Sequence, residues 1–265
     1  SLIFAQHEIL AAMNEFFAKS PGGHRPKRKK IVILSGAGIS AESGVSTFRD
    51  SDGLWENHDV MEVASVLGWK KNPGLVLEFY NGLRAQLERV RPNQAHIDIA
   101  ALEKDYDVVV VTQNVDNLHE RAGSGRVIHL HGELTKVRPE DSCTEADEYD
   151  ESRVKDVGYS AVHLGDVDDR GVQYRPHIVF FGEGVPKIDD ALTEIADADY
   201  LVIVGTSLVV QPAASLWRYA PAGCPVFVVD PKDTPIDGAK GVVHIKEKAT
   251  TGVARAIEMI RVADR

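Results

Sequence analysis

The stretch Lys30–Asp50, KIVILSGAGISAESGVSTFRD, constrains this chain more than any other. Ile31 to Leu34 is a continuous β-branched and aliphatic run, the pattern of a strand covered on both faces, and such strands belong to parallel sheets flanked by helices. The run stops at Ser35-Gly36. Gly36, Ala37 and Gly38 leave almost no side chain at the strand's carboxyl end, and Ser40 stands where a helix N-cap is expected. Backbone N–H groups can therefore approach a pyrophosphate there. The third glycine of the usual dinucleotide pattern is missing, however, and so short a glycine cluster also serves as a plain turn.

Runs of the same kind recur at Asp107–Thr112, Val127–Leu130, His177–Phe180, Tyr200–Val204, Val226–Val229 and Val242–Ile245, most of them separated by helical patterns at 117–122, 188–197, 212–220 and 249–262. Repeated β-α units with right-handed crossovers predict an α/β fold, a doubly wound, Rossmann-like parallel sheet that binds ligands outside the carboxyl ends of its strands. An amphipathic helix at 2–18, with Ile9, Leu10, Met13, Phe16 and Phe17 on one face, is expected to pack on the core. The basic run HRPKRKK at 24–30 is expected to be a solvated linker. Pro73 opens a helix reaching about Val90, and Pro92 another from Asn93 to Lys104. Segments 55–90 and 133–175 do not fit the sheet and are assigned to a smaller inserted module, leaving 1–54, 91–132 and 176–265 to the Rossmann-like domain.

Charge narrows the function. A formal net charge of −10 argues against direct nucleic-acid binding. With no apolar run of about 18 residues and no signal peptide, the expected setting is cytoplasmic with no membrane partner. Cys143 and Cys224 stand in unrelated contexts, so no disulfide framework is indicated. The acidic segment from Glu140 to Glu151 matches no EF-hand spacing and is expected to be a solvated loop. Nothing in the sequence sets the oligomeric state.

His131 follows a strand and directly precedes a glycine in VIHLHGEL. His129 and His131, two apart, point to one side of an extended strand, while Gly132 is expected to open space beside His131. A satisfied core or edge histidine is the alternative to a catalytic one. Gln113, Asn114 and Asp116 end the second strand, where side chains reach the cleft; capping of the next helix is their alternative.

Taken together, GAGISAESGVSTFRD at 36–50 resembles the signature of the sirtuins, the NAD-dependent protein lysine deacylases. TQNVDNLHERAG at 112–123, HLHGEL at 129–134, RPHIVFFGEGVP at 175–186 and GTSLVVQPAA at 205–214 resemble that family too, in its order. The resemblance implies a reaction between NAD and acylated-lysine proteins or peptides that yields nicotinamide, free lysine and O-acyl-ADP-ribose. It makes His131 the general base for a ribose hydroxyl. Gln113 and the catalytic Asn114 would hold the nicotinamide ribose and a water, and Asp116 the carboxamide. Gly36, Ala37, Gly38 and Ser40 would cradle phosphate, Phe48 and Arg49 would close over the cofactor, and Gly205, Thr206 and Ser207 would meet the adenosine half. Asp230 replaces the Asn of many relatives; its carboxylate accepts from ribose hydroxyls and repels a 2′-phosphate, favouring NAD over NADP. Asn117 stands where the family usually has Gly. Val179, Phe180, Phe181, Gly182 and Glu183, with Leu208 and Val209 opposite, resemble the two edges that clamp an extended peptide.

Most sirtuins carry two Cys-x-x-Cys pairs that hold a structural zinc. Between Glu133 and Arg175 this chain offers Cys143 and His163, short of four ligands, so no zinc is expected and the resemblance is to a bacterial-type branch without those cysteines. Packing by Tyr149, Val154, Val157, Tyr159, Val162, Leu164 and Val172 is expected to hold the module instead.

One branch of the family binds acidic acyl groups with Tyr-x-x-Arg on a channel helix. Here Tyr80 matches, Leu83 takes the arginine's place and Arg84 comes one residue late, a rotation of about 100°. Tyr80 and Arg84 remain i,i+4 neighbours and Gly82 permits distortion, so both are candidate substrate contacts. Neutral acyl groups are expected to be preferred. The competing readings are a succinyl/malonyl or long-chain deacylase, an ADP-ribosyltransferase or NAD hydrolase, and an NAD-binding sensor with little turnover.

Overall fold

A computed structural model describes residues 28–45, 54–56, 58–142 and 149–265; the expected helix at 2–18, the start of the basic run, Phe48, Arg49 and Cys143 lie outside these residues. In chain order the strands are β1 (Lys30–Ser35), β2 (Leu54–Trp55), β3 (His58–Asp59), β4 (Asp107–Thr112), β5 (Val127–His129), β6 (Gly132–Pro139), β7 (Lys155–Asp156), β8 (Tyr174–Ile178), β9 (Tyr200–Val204), β10 (Val226–Val229) and β11 (Val242–Ile245). Six of them form one sheet, ordered β11-β10-β9-β1-β4-β5. Every pairing in it is parallel. The order reverses beside β1, where the chain first winds toward β4 and β5 and later returns to β9 on the other side. Adjacent crossovers leave this switch point in opposite directions, so a crevice opens above the loops that follow β1 and β9.

Alternation along each strand sends side chains to two separate cores. Ile31, Ile33, Val108, Val110, Val202 and Phe227 meet the helices Gln94–Ala101 and Ala249–Ala263 on one face. Val32, Leu34, Val109, Val111, Leu201 and Ile203 meet Ile188–Ala196 and the 3-10 turn Ala213–Tyr219 on the other. Burial on both faces is what the uninterrupted apolar runs required, at about 1.5–3 kcal/mol for each large side chain. The end of the basic run is not the solvated linker expected of it: Lys30 opens β1, is buried, and pairs with Glu194 at 2.8 Å and Asp197 at 3.1 Å.

A second, antiparallel sheet, β7-β6-β8, stands beside the first. This corrects the strand expected at His177–Phe180, whose chain pairs with Gly132–Pro139 outside the parallel sheet. The helix Pro73–Arg89 packs Val76, Leu77, Tyr80 and Leu83 against Leu134, Val137, Ile178 and Phe180. Its start is fixed by Asn72, whose Oδ1 accepts from Leu75 N at 3.1 Å, and by Pro73 in the first turn. No helix among the described residues is long and apolar enough to cross a membrane.

Candidate active site

The loops after β1 and β9 touch main chain to main chain. Gly38 N donates to Gly205 O at 2.8 Å. A Cβ on Gly38 would stand 2.6 Å from Gly205 Cα, and one on Gly36 2.7 Å from both Gly205 O and Thr206 Cβ. The glycines are thus required by this contact between the two halves of the sheet as well as by any ligand. Ser40 is not the helix cap expected from sequence. The turn Gly38–Ala41 begins at Ala37 with no side-chain cap, and Ser40 lies inside it, buried. Its hydroxyl donates instead to Asp116 Oδ2 at 2.8 Å and accepts from Asn114 Nδ2 at 3.3 Å.

The β4 end supplies the polar centre. Asn114 Nδ2 also reaches Gly36 O at 3.2 Å, and Gln113 Nε2 donates to Thr206 Oγ1 at 2.9 Å, tying the three strand ends together. Asp116 accepts from Leu118 N at 3.0 Å through its other oxygen. Burial raises its pKa, opposed by the bonds from Leu118 and Ser40. Each carboxylate oxygen keeps a second acceptor site for a ligand N–H.

His131 Nδ1 lies 3.1 Å from the Gln113 carbonyl oxygen. A carbonyl only accepts, so Nδ1 carries the proton and Nε2 keeps its lone pair. Burial lowers the pKa of this ring below 6.5, against the opposing pull of the Gln113 bond. Gly132 does not open space beside it, as expected from sequence. It has φ +89°, and a Cβ there would fall 2.0 Å from His177 O, so glycine is what lets β6 approach β8. His129 has the opposite character. Burial disfavours its charge, but Glu120 Oε1 at 2.6 Å outweighs burial and raises its pKa. Its Nδ1 meets Asn114 O at 2.9 Å, so it braces the Asn114 backbone.

Sequence reading missed this bracing shell. Ser35 Oγ donates to Thr112 Oγ1 at 2.8 Å, Thr112 Oγ1 accepts from Asn114 N at 3.0 Å, and His119 Nε2 sits 3.0 Å from Ser35 Oγ. The available signal was that two apolar strands, β1 and β4, each end on a hydroxyl residue.

These groups line a cavity of about 830 Å³, in the range of small-molecule sites. Gly36, Ala37, Gly38, Ser40, Gln113, Asn114, Asp116, His131, Gly205, Thr206, Ser207 and Asp230 all face it. Tyr80, Val179, Phe180, Phe181, Gly182 and Glu183 face it as well. Three of the expected contacts do not. Arg84 is fully buried away from the cavity, its Nε donating to Leu134 O at 2.8 Å and its Nη1 to Asn81 Oδ1 at 2.9 Å. Leu208 is buried under the sheet and Val209 is exposed to solvent; neither lines the cavity. Glu183 lines it but is engaged by Arg175, at 2.5 and 3.0 Å, and by Phe180 N at 2.7 Å. Ser207 Oγ is buried with no partner in the protein, and Asp230 spends one oxygen on Lys232 N at 2.9 Å, so donors and acceptors remain for a ribose.

A parallel sheet in this order, with a cavity at its switch point into which polar strand-end groups project, defines a Rossmann-type nucleotide-binding protein. The Sir2 family pattern matches residues 36–212. NAD-dependent protein deacylases are similar to this chain: that of Bacteroides thetaiotaomicron is 46% identical over 88% of this chain and 98% of its own. That of Helicobacter pylori strain 26695 is 52% identical over 83% and 93%. Among solved structures, a Sir2 homologue in complex with NAD superposes with a TM-score of 0.76 at 35% identity, covering 92% of this chain and 97% of that one. A Sir2 complex with a p53 peptide and NAD+ gives 0.71 at 29% identity, covering 89% and 95%. The chain belongs to the Sir2 family.

Proposed function

We propose that the chain is an NAD-dependent protein lysine deacylase. The observation that carries this is the pose of His131: neutral, proton fixed on Nδ1 by the Gln113 carbonyl, on the wall of a cavity with Asn114 and Asp116. When bound, NAD would supply an electrophilic ribose carbon and an acceptor for the acyl group, and with one water consumed the products would be nicotinamide, free lysine and O-acyl-ADP-ribose. The chain's residues do the rest. His131 Nε2 takes a proton from a ribose hydroxyl. Gln113 and Asn114 hold the ribose, and Asp116, steadied by Ser40, accepts from the carboxamide. Gly36 to Gly38 admit phosphate, and Thr206, Ser207 and Asp230 hold the adenosine ribose; Phe48 and Arg49, assigned to the cofactor by the family resemblance, lie outside the described residues. Val179 to Glu183 line the cavity where an extended peptide would lie, with the N–H groups of Val179, Phe180 and Phe181 already bonded to His131 O, Glu183 and Ala64 O, while Leu208 and Val209, expected as the other edge, stand off the cavity. Incubation with NAD and an acetyl-lysine peptide tests the reading, with O-acetyl-ADP-ribose as the expected product. NAD consumption that is equal with and without peptide means an NAD hydrolase instead.

The acyl group we assign is neutral. Trp55, Val60, Leu83, Leu87 and Val90 give the cavity an apolar end, and the lysines of its lining, Lys232 and Lys248, follow β10 and β11. Arg84 gives its Nε and Nη1 to Leu134 O and Asn81 and does not line the cavity, so the polar groups that do at that end are the Tyr80 hydroxyl, buried and unpartnered, and Gln86. A succinyl carboxylate there meets no cation on the cavity wall, with the Arg84 guanidinium behind Tyr80, costing about 2 kcal/mol or roughly 30-fold in kcat/KM against acetyl. Faster turnover of a succinyl peptide than of its acetyl counterpart contradicts this.

We also read 55–90 and 133–175 as one module that stands without zinc. Arg138 and Arg175 around Glu183 and the apolar contacts of Val137, Val162, Val157 and Tyr159 support that reading. Chelation is expected to leave the purified protein folded and active; loss of either on chelation overturns it.

A further inference from the structure

We propose that His96, buried on the helix Gln94–Ala101 and off the cavity wall, is a positioning residue for Asn114, acting through His119, Ser35 and Thr112 by fixing which nitrogen of His119 carries the proton. What Asn114 does rests on the deacylase reading; how it is held rests on hydrogen bonds alone.

His96 is half of a capping box, in which Asn93 N donates to its Nδ1 at 3.3 Å. A backbone N–H only donates, so Nδ1 keeps its lone pair. Burial lowers the pKa of the ring to about 4, so it is neutral and Nε2 carries the proton. That N–H is buried without a hydrogen-bond partner. The His119 ring lies edge-to-face against it, centroids 4.9 Å apart, and is itself buried and unpartnered at Nδ1. Burial, with His96 beside it, holds the His119 pKa well below 6.5, so this ring is neutral too and has two forms. With the proton on Nε2, it donates to Ser35 Oγ at 3.0 Å, Ser35 donates to Thr112 Oγ1 at 2.8 Å, and a bare Nδ1 acceptor faces the interior next to the His96 donor. With the proton on Nδ1, the hydroxyl chain reverses and two unmatched buried donors sit on adjoining rings. In a dry interior an N–H attracts a lone pair and repels a second N–H, so the proton fixed on His96 selects the first form.

The relay ends on the site, where Thr112 Oγ1 accepts from Asn114 N at 3.0 Å. The same helix start also grips the opposite loop. Asn93 Nδ2 donates to Ile39 O at 2.7 Å and to Ser43 Oγ at 3.0 Å, in and just after the turn that carries Ser40, and Ser40 Oγ accepts from Asn114 Nδ2. Asn93 and His96 therefore reach Asn114 from two sides, its amide through Thr112 and its side chain through Ser40.

Long-range proton–nitrogen NMR of the labelled full chain at neutral pH reads the ring protons and needs no turnover. His96 and His119 are both expected to be neutral with the proton on Nε2; either one protonated on Nδ1 overturns the proposal. In His96→Phe the His119 signals are expected to move toward the form protonated on Nδ1, and signals that stay put overturn the selection by His96. In turnover of the acetyl peptide, His119→Phe and Thr112→Val are each expected to lower kcat/KM about tenfold. His119→Gln, whose amide can replace the Nε2 donor, is expected to recover most of that loss. The double variant His119→Phe with Thr112→Val is expected to lose no more than either single one; a product of the two losses, about a hundredfold, means separate structural effects and overturns the relay. Absence of product from the wild-type chain would sink the deacylase reading and leave the NMR arms to decide this one.

Discussion

Replacing His131 by Ala is expected to lower peptide-dependent O-acyl-ADP-ribose formation by about 10²- to 10⁴-fold, the range of a lost general base. Binding of NAD should change far less, because Gly36, Gly38, Thr206 and Asp230 line the cavity independently of the imidazole. The same ring sets the pH profile. Burial holds its pKa below 6.5, so the base is already deprotonated at neutrality, and kcat/KM is expected to be flat above pH 6.5 and to fall only below it. Retention of more than about a tenth of the wild-type rate by His131→Ala, with the fold intact, removes His131 from the base role.

The second large effect is acid sensitivity of the fold. Burial and the charge of Arg138, whose Nη1 is 3.4 Å from Nδ1, push His177 down to about 3. Burial pushes His96 down to about 4, and burial together with His96 puts His119 well below 6.5. The unfolded chain takes up these protons near pH 6.5 while the native one refuses them. Stability is therefore full above pH 6.5 and lost as pH falls toward the folded values. At pH 5, His96 and His177 each cost about 2 kcal/mol, so about 4 kcal/mol together, with His119 adding to the loss. His129 works the other way, since its raised pKa favours the protonated native state and offsets part of it. Urea unfolding at pH 7 and pH 5 measures the difference. An unchanged midpoint would show that these rings are hydrated or charged in the native state.

The parallel sheet was legible because Val, Ile and Leu fill every position of β1, β4 and β9 that two covered faces demand. β6 was not. Its sequence, GELTKVRP, sends Arg138 inward, and a buried arginine reads as surface until Glu183 and the Ile178 carbonyl are seen to meet it. His177 followed from that error, for its apolar neighbours pair with β6 and not with the large sheet. In the site, most of the residues that gather on the cavity wall were legible, but the reasons for their placement were not. Ser40 looked like a cap and is a support for Asp116; Gly132 looked like open space and is a close strand contact. Arg84 shows the limit of helix periodicity: one residue of offset predicted a rotation, and the Leu134 carbonyl together with Asn81 determines where the guanidinium goes instead.

The contact of Gly36 and Gly38 with Gly205 gives the cleft a floor spaced by peptide geometry alone. Gly205, at φ +63°, would place any Cβ 2.3 Å from Ile39 N, so neither loop can acquire a side chain without displacing the other. Side-chain floors can drift by compensating exchange, large for small across the seam. This one has nothing to exchange, so the depth of the cleft is a fixed length, and cofactor affinity can be tuned only from its walls.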